Sequence, residues 1–139
     1  MQQSTNLGEW AEQQAKLYLQ QQGFSCLASN FHSLYGEIDL IMLKQNLMLF
    51  IEVKARSANR LAQACEVISL SKQRKIVKTA LIFLQHYSPN MEIDYRFDVI
   101  CFDLHQKNVK NISYPIDYFS YDLNWIENAF TFDEQLITI

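Results

Sequence analysis

The sequence predicts an α/β fold in which helices flank a mixed central β-sheet, with elements in the order αβββαβ. Three observations carry this. Apolar residues recur at helical spacing in two separate segments, near residues 7–22 and 71–87. Three β-rich runs lie between those segments, and another follows the second. The chain has 139 residues, 49% of them apolar, enough for one domain with a buried core.

The first helix opens at Thr5 or Asn6, either of which can cap it. Leu7, Ala11, Ala15, Tyr18 and Leu19 fall on one stripe, and Gly23 stops the helix after about Gln22. Phe24–Phe31 reads as a short strand, followed by a turn around Ser33–Gly36. Glu37–Lys44 and Leu47–Ala55 form a hairpin about Gln45-Asn46. A polar loop over Arg56–Glu66 leads to a second helix from about Ser71 to Tyr87, which ends before Pro89. Its stripe is Ile76, Val77, Ala80, Leu81, Phe83 and Leu84. Tyr95–Leu104 is a strong strand and Asn108–Tyr114 a short edge strand. The aromatic-rich tail, 105–139, is expected to pack on a core of about 7–104, with one helical turn near Trp125–Phe130. All 139 residues are read as a single domain.

Several classes of protein are disfavoured. Residues 1–5 carry neither a basic nor an apolar leader segment, and no apolar run reaches the ~18–20 residues that span a bilayer. Cys26, Cys65 and Cys101 are odd in number and widely spaced, which favours reduced thiols over a disulfide frame or a zinc site. The expected location is therefore the cytoplasm. The three histidines, His32, His86 and His105, form no metal-binding spacing, and the three glycines form no phosphate loop. The net charge is −3, but residues 44–78 carry eight lysines and arginines against two glutamates. That basic island can attract phosphate, or be an ordinary solvated helix face.

The chemistry-bearing segments are Gly36-Glu37-Ile38-Asp39-Leu40-Ile41 and Phe50-Ile51-Glu52-Val53-Lys54. A hairpin centred on Gln45-Asn46 places Asp39 opposite Glu52, Ile41 opposite Phe50 and Ile38 opposite Val53. Residues two apart share a face, so Lys54 joins the two carboxylates. Ile38, Leu40, Met42, Leu49, Ile51 and Val53 then form the opposite, core-facing side. Opposed like charges destabilise a hairpin, so the pair calls for a counter-charge from Lys54 or a divalent cation. Mg²⁺ takes carboxylate oxygen together with water and substrate phosphate. The same spacing is equally compatible with an inert Asp–Lys–Glu cluster on a solvated sheet.

At these residues the chain resembles the PD-(D/E)xK nuclease superfamily. More closely it resembles the YraN-like family of small bacterial proteins, related to archaeal Holliday junction resolvases. The marks are Gly8, Glu12 and Ala15; Gly36–Ile41; Phe50-Ile51-Glu52-Val53-Lys54-Ala55-Arg56; Lys72; and Arg96-Phe97-Asp98-Val99. The resemblance implies a restriction-endonuclease-like core and a metal-dependent endonuclease. It implies that Asp39 and Glu52 hold Mg²⁺, or Mn²⁺ in its place, that Lys54 is the catalytic lysine, and that Glu12 completes the acidic site. Two departures stand out: Ile38 replaces the superfamily's proline, and His32 stands where an arginine is frequent.

Beyond these, Glu12 can equally pair with Lys16 one helical turn away. Glu37, on the Ile38 side by alternation, is left outside the metal shell. Arg56 and Lys72 are the candidate phosphate contacts, with Lys72 and Lys75 on one helix face. Arg96 and Asp98 read as a structural ion pair. The expected partner is nucleic acid, DNA before RNA and branched or structured DNA in particular, with room for a homodimer and no membrane. The alternatives are a noncatalytic nucleic-acid-binding module that keeps the fold, and a partner-binding protein with an inert acidic cluster.

Overall fold

The computed structural model describes residues 3–57, 68–87, 92–106, 111–114 and 120–131, with backbone alone at 3–5 and 111–114. The first helix, α1, spans Leu7–Gln21. Asn6 caps it, its side chain accepting a 2.8 Å hydrogen bond from the Glu9 N–H. Gly23, at φ 97°, turns the chain out of the helix. Strand β2 (Ser25–His32) follows, then β3 (Glu37–Lys44) and β4 (Leu47–Arg56). Helix α2 (Leu70–His86), capped by Ser69, connects β4 to β5 (Asp94–Leu104). Strand β7 (Tyr121–Phe130) completes a five-stranded sheet of order β2-β3-β4-β5-β7.

The sheet is mixed. The β4·β5 pair is parallel and every other neighbour pair is antiparallel. A parallel pair needs a long crossover, and α2 supplies it. One cluster packs Trp10, Ala11, Ala15 and Leu19 of α1 against Leu40, Met42, Leu49, Ile51, Ile100 and Phe102. The other packs Ile76, Val77 and Ala80 of α2 against Ile38, Ile41, Met48, Phe50, Phe97 and Val99. The fold is thus α/β with helices on both faces of a mixed sheet, the arrangement of a restriction-endonuclease-like core.

The expected element order holds, with additions. A short strand β1 (Gln3–Asn6) pairs antiparallel with β6 (Asn111–Tyr114) in a separate two-stranded sheet. No helical turn forms near Trp125–Phe130, because those residues belong to β7. Tyr121, Leu123 and Trp125 alternate inward onto the α1 side, a period of two that suits a strand. The loop expected over Arg56–Glu66 gives up Arg56 to the end of β4, and its residues 58–66 lie outside the described residues.

The hairpin register is as anticipated from Leu40↔Ile51 to Lys44↔Leu47, closing on Gln45 at φ 54°. The expected face assignment fails at one point. Ile38 packs with the α2-side cluster, whereas Leu40 packs on the α1 side. Strict alternation would put both on one face, so β3 changes phase at Asp39. Strand β2 changes phase with it, since Phe31 and Ala28, three residues apart, share a cluster. Asn30 lies between them at φ 52°, a backbone state that asparagine tolerates better than most residues. The β2–β3 pairing survives on both sides, at Phe31↔Ile38 and Ser29↔Leu40.

The expectation of three reduced thiols also needs correction. Cys26 is a free thiol, but Cys101, fully buried in the core, is disulfide-bonded. A disulfide is uncommon in a reducing compartment, so cysteine usage no longer argues for the cytoplasm. Among the described residues no helix is long and apolar enough to cross a membrane.

Candidate active site

The phase change positions Asp39. The recorded β3·β4 ladder ends at Leu40↔Ile51, so Asp39 does not simply sit opposite Glu52 in the ladder. Its carboxylate turns between the strands and accepts a 2.8 Å hydrogen bond from the Val53 N–H. A side-chain oxygen thus replaces the backbone acceptor that a regular hairpin would have offered. Glu52, on β4, faces the α2 side with Phe50 and Met48. Asp39 is 7% exposed and Glu52 8%.

Both carboxyls line a cleft of about 310 Å³ between the end of the hairpin and the start of α2. Gly36 and Glu37 line it from the turn side, and Ser69, Ser71, Lys72, Lys75 and Ile76 line it from the helix. Helix α2 starts here because Ser69 accepts a hydrogen bond from the Lys72 N–H. The positive end of the helix and two of its lysines therefore look onto the carboxylates.

The electrostatics follow from crowding. Burial raises the pKa of Asp39 to about 8, helped by the charge of Glu52 and opposed by the Val53 hydrogen bond. Glu12 and Glu37 push it the same way as Glu52. Glu12, on α1, is raised mainly by burial, while side-chain hydrogen bonds with Asn30 and Asp39 oppose the shift. A hydrogen bond between two carboxyls needs one proton, and Asp39 is the group poised to carry it. The ammonium of Lys72 forms an ion pair with Glu52. Burial works against that ammonium, but the hydrogen bond and charge of Glu52 win and raise its pKa.

The structure brings together Asp39, Glu52, Glu12 and Lys72. Sequence reasoning placed Lys72 outside the hairpin as a phosphate contact, whereas its ammonium reaches Glu52 itself. Lys54 lies on the face of Glu52, half-buried, with its backbone beside Cys101 of β5. Among the described residues it forms no ion pair, and it does not line the cleft. Arg56 ends β4 further along the same face, also away from the cleft. Glu37, expected to lie away from Asp39, lines the same cleft and acts on the charge of Asp39, while pairing with His32 at 3.3 Å. Ser69, Ser71 and Lys75 were not anticipated as lining residues. The capping serine before a basic helix was the available signal.

Arg96 and Asp98 are a structural pair, as read from the sequence. Asp98 is fully buried and takes two hydrogen bonds from Arg96, at 2.8 and 2.9 Å. The Trp125 indole N–H and the Asn128 N–H donate to the same carboxylate at 2.8 Å. Asp98 thereby fastens β7 to β5. Among the described residues no three His, Cys, Asp or Glu side chains form a ready-made metal cage.

A family model described as "Uncharacterised protein family UPF0102" matches residues 11–102. A UPF0102 protein of Acinetobacter baumannii (strain AYE) is 52% identical over 91% of this chain and 96% of its own length. One from Acinetobacter baylyi is 49% identical, covering 91% of this chain and 90% of its own. One from Francisella tularensis (strain SCHU S4) is 42% identical, covering 92% of this chain and 97% of its own. The matched span holds Glu12, Asp39, Glu52, Lys72 and Asp98, and the chain belongs to the UPF0102 family, the YraN-like group.

Proposed function

We propose that this cleft is the active site of a metal-dependent endonuclease that hydrolyses phosphodiester bonds in DNA. One observation carries the reading: two buried carboxyls, Asp39 and Glu52, meet in a cleft whose other wall is the basic start of a helix. Buried like charges are retained against their repulsion where positive charge is to be received.

The donor set fits Mg²⁺ or Mn²⁺. Burial raises the pKa of Asp39 to about 8, so positive charge added beside it favours its ionised form. Two carboxylates, with no three-residue His, Cys, Asp or Glu cage among the described residues, suit a cation that keeps water and shares substrate phosphate. Asp39 and Glu52 would hold it, and when bound it would polarise the phosphoryl oxygen and lower the pKa of water.

The chain's own groups do the rest. The Val53 N–H holds the Asp39 carboxylate in place at the cleft. Glu12 orients Asp39 and takes up its proton as the site charges. Lys72 gives up Glu52 for a phosphate oxygen, and Lys75 and the free amides of the first turn of α2 add to that contact. Lys54, on the Glu52 face, is assigned to charge that develops in the transition state, and Arg56 to phosphate further along the strand.

A second reading, a noncatalytic nucleic-acid binder, is favoured by the Lys72–Glu52 pair, which already neutralises one carboxylate. The deciding experiment incubates wild type and Asp39→Asn with linear, flapped and four-way DNA, with and without Mg²⁺ or Mn²⁺. Cleavage by wild type that needs the cation and is lost in Asp39→Asn is the expected result. DNA binding without cation-dependent cutting establishes the second reading, and neither binding nor cutting overturns both.

A further inference from the structure

The mouth of the cleft is edged with apolar side chains that the reading above does not use. Among the described residues six large hydrophobics are exposed, and three of them adjoin lining residues along the chain. Leu34 is 99% exposed and Tyr35 48%, immediately before the lining residue Gly36. Leu70, also exposed, lies between the lining residues Ser69 and Ser71. Single exposed hydrophobics are ordinary, but a cluster around one cleft marks a contact surface.

The turn carrying Leu34 and Tyr35 is held firmly. The Ser33 N–H donates to the Gly36 carbonyl at 2.8 Å, and the Tyr35 N–H donates to Ser33 Oγ at 3.0 Å. Ser33 Oγ lies 2.7 Å from Thr79 Oγ1, and Thr79, fully buried, donates to the Lys75 carbonyl at 2.8 Å. The two hydroxyls share one hydrogen bond, and each also has a carbonyl in reach, Lys75 for Thr79 and Gly36, at 3.4 Å, for Ser33. The turn is therefore fastened to α2 through the core. The Lys78 ammonium sits 5.0 Å from the centre of the Tyr35 ring and fixes its orientation. Leu34, in contrast, stands free of the described residues, 99% exposed.

We propose that Leu34 and Tyr35 form a wedge that takes up an unstacked base, so that the cleft selects DNA whose base stacking is interrupted. This rests on the nuclease reading and adds the substrate class. The wedge projects beside Lys75 and Lys78, so a strand drawn to those lysines by its phosphates passes the tip. Aliphatic side chains enter base steps that are already unstacked, and tyrosine offers an open ring face for a base. A continuous duplex must be unstacked before it can meet the wedge, whereas a bulge, gap or branch presents the base ready. A rigid tip suits that task because little ordering entropy is lost on contact.

The test measures binding in EDTA, so that it does not depend on cleavage. Two short duplexes are used, one fully paired and one with a single extrahelical fluorescent adenine analogue. Wild type should prefer the bulged duplex by about tenfold, the scale of one base stacking on a side chain, and should quench the analogue. In Leu34→Ala and Leu34→Gln the preference should fall towards unity, and Leu34→Phe should keep it. Leu34 is fully exposed, so these variants fold. Equal preference in wild type and Leu34→Ala overturns the wedge while leaving the nuclease reading intact. No binding to either duplex overturns the nuclease reading itself. Self-association that Leu34→Ala abolishes, with no effect on DNA preference, assigns the tip to a protein interface and overturns the proposal.

Discussion

The ammonium of Lys72, on the first turn of α2, is paired with the carboxylate of Glu52 on β4. Twenty residues of chain separate the two, yet the pair joins the helix to the acidic end of the sheet. Lys72 is half-exposed and Glu52 is buried, so they do not respond alike to loss of the partner.

Lys72→Ala leaves the Glu52 carboxylate without its cation. The metal-free variant should lose stability by about 1 kcal/mol, between the values for surface and buried pairs. It should bind Mn²⁺ more tightly than wild type, because the ammonium competes for the same oxygens. Its DNA affinity should fall, with a shallower salt dependence. Urea unfolding and Mn²⁺ titration read the first two effects. Unchanged Mn²⁺ affinity would separate the cation site from Glu52.

Asp39 has a pKa raised from 3.8 to about 8 in the folded protein. The folded state thus holds a proton that the unfolded chain releases within that window. Its stabilising effect is complete below 3.8 and fades as pH rises to about 8. The slope for one proton is at most about 1.4 kcal/mol per pH unit. Asp39→Asn keeps an acceptor for the Val53 N–H but cannot ionise, so its stability in EDTA should vary less over the same window. Parallel pH profiles for the two proteins would show that Asp39 titrates as it does in the unfolded chain.

Asp98→Asn leaves Arg96 facing a neutral amide in a fully buried position. The expected loss is about 3–5 kcal/mol, that of a broken buried pair. The damage should begin at β7, because Trp125 and Asn128 use the same carboxylate. Hydrogen exchange should quicken across Tyr121–Phe130 before it does in β4. A loss below about 1 kcal/mol would mean that the network is dispensable.

Gly36 has φ 155° and lies against Lys75, where an added Cβ would come within 3.4 Å of the lysine Cβ. Gly36→Ala should cost about 1–3 kcal/mol through backbone strain. The turn should also move off α2, weakening the Ser33–Thr79 contact. Comparison of melting temperatures with Ser33→Ala tests this, and a Gly36→Ala protein as stable as wild type would refute it.

Much of this is legible in the sequence. The hairpin register could be read because a two-residue connection and strict alternation leave few other pairings for Leu40–Lys44. That register stops one pair short of Asp39 and Glu52, and the turn of the Asp39 carboxylate onto the Val53 N–H had no sequence signal. Lys72 had none either, because where α2 crosses the sheet is decided by packing of Ile76, Val77 and Ala80, not by spacing along the chain. The phase change at Asp39 had only Asn30 as a hint, since a non-glycine residue at positive φ leaves little trace in sequence. Strand β7 was hidden by its aromatic content, although Tyr121, Leu123 and Trp125 alternate with Asp122 and Asn124.

The pairing of β7 with β5 has a consequence for the half-made protein. Before residues 121–130 emerge from synthesis, β5 is the bare edge of the sheet, and Phe97-Asp98-Val99-Ile100-Cys101-Phe102 is its centre. Such a segment, apolar and rich in β-formers, invites addition of another chain. Asp98 interrupts it. Until Trp125 and Asn128 enclose it, its charge opposes stacking of like strands, a gatekeeper before it becomes a rivet. A chain cut short before residue 121 keeps that charge as the guard at the centre of this edge, and replacing Asp98 in a truncated chain should show in aggregation rate before it shows in anything else.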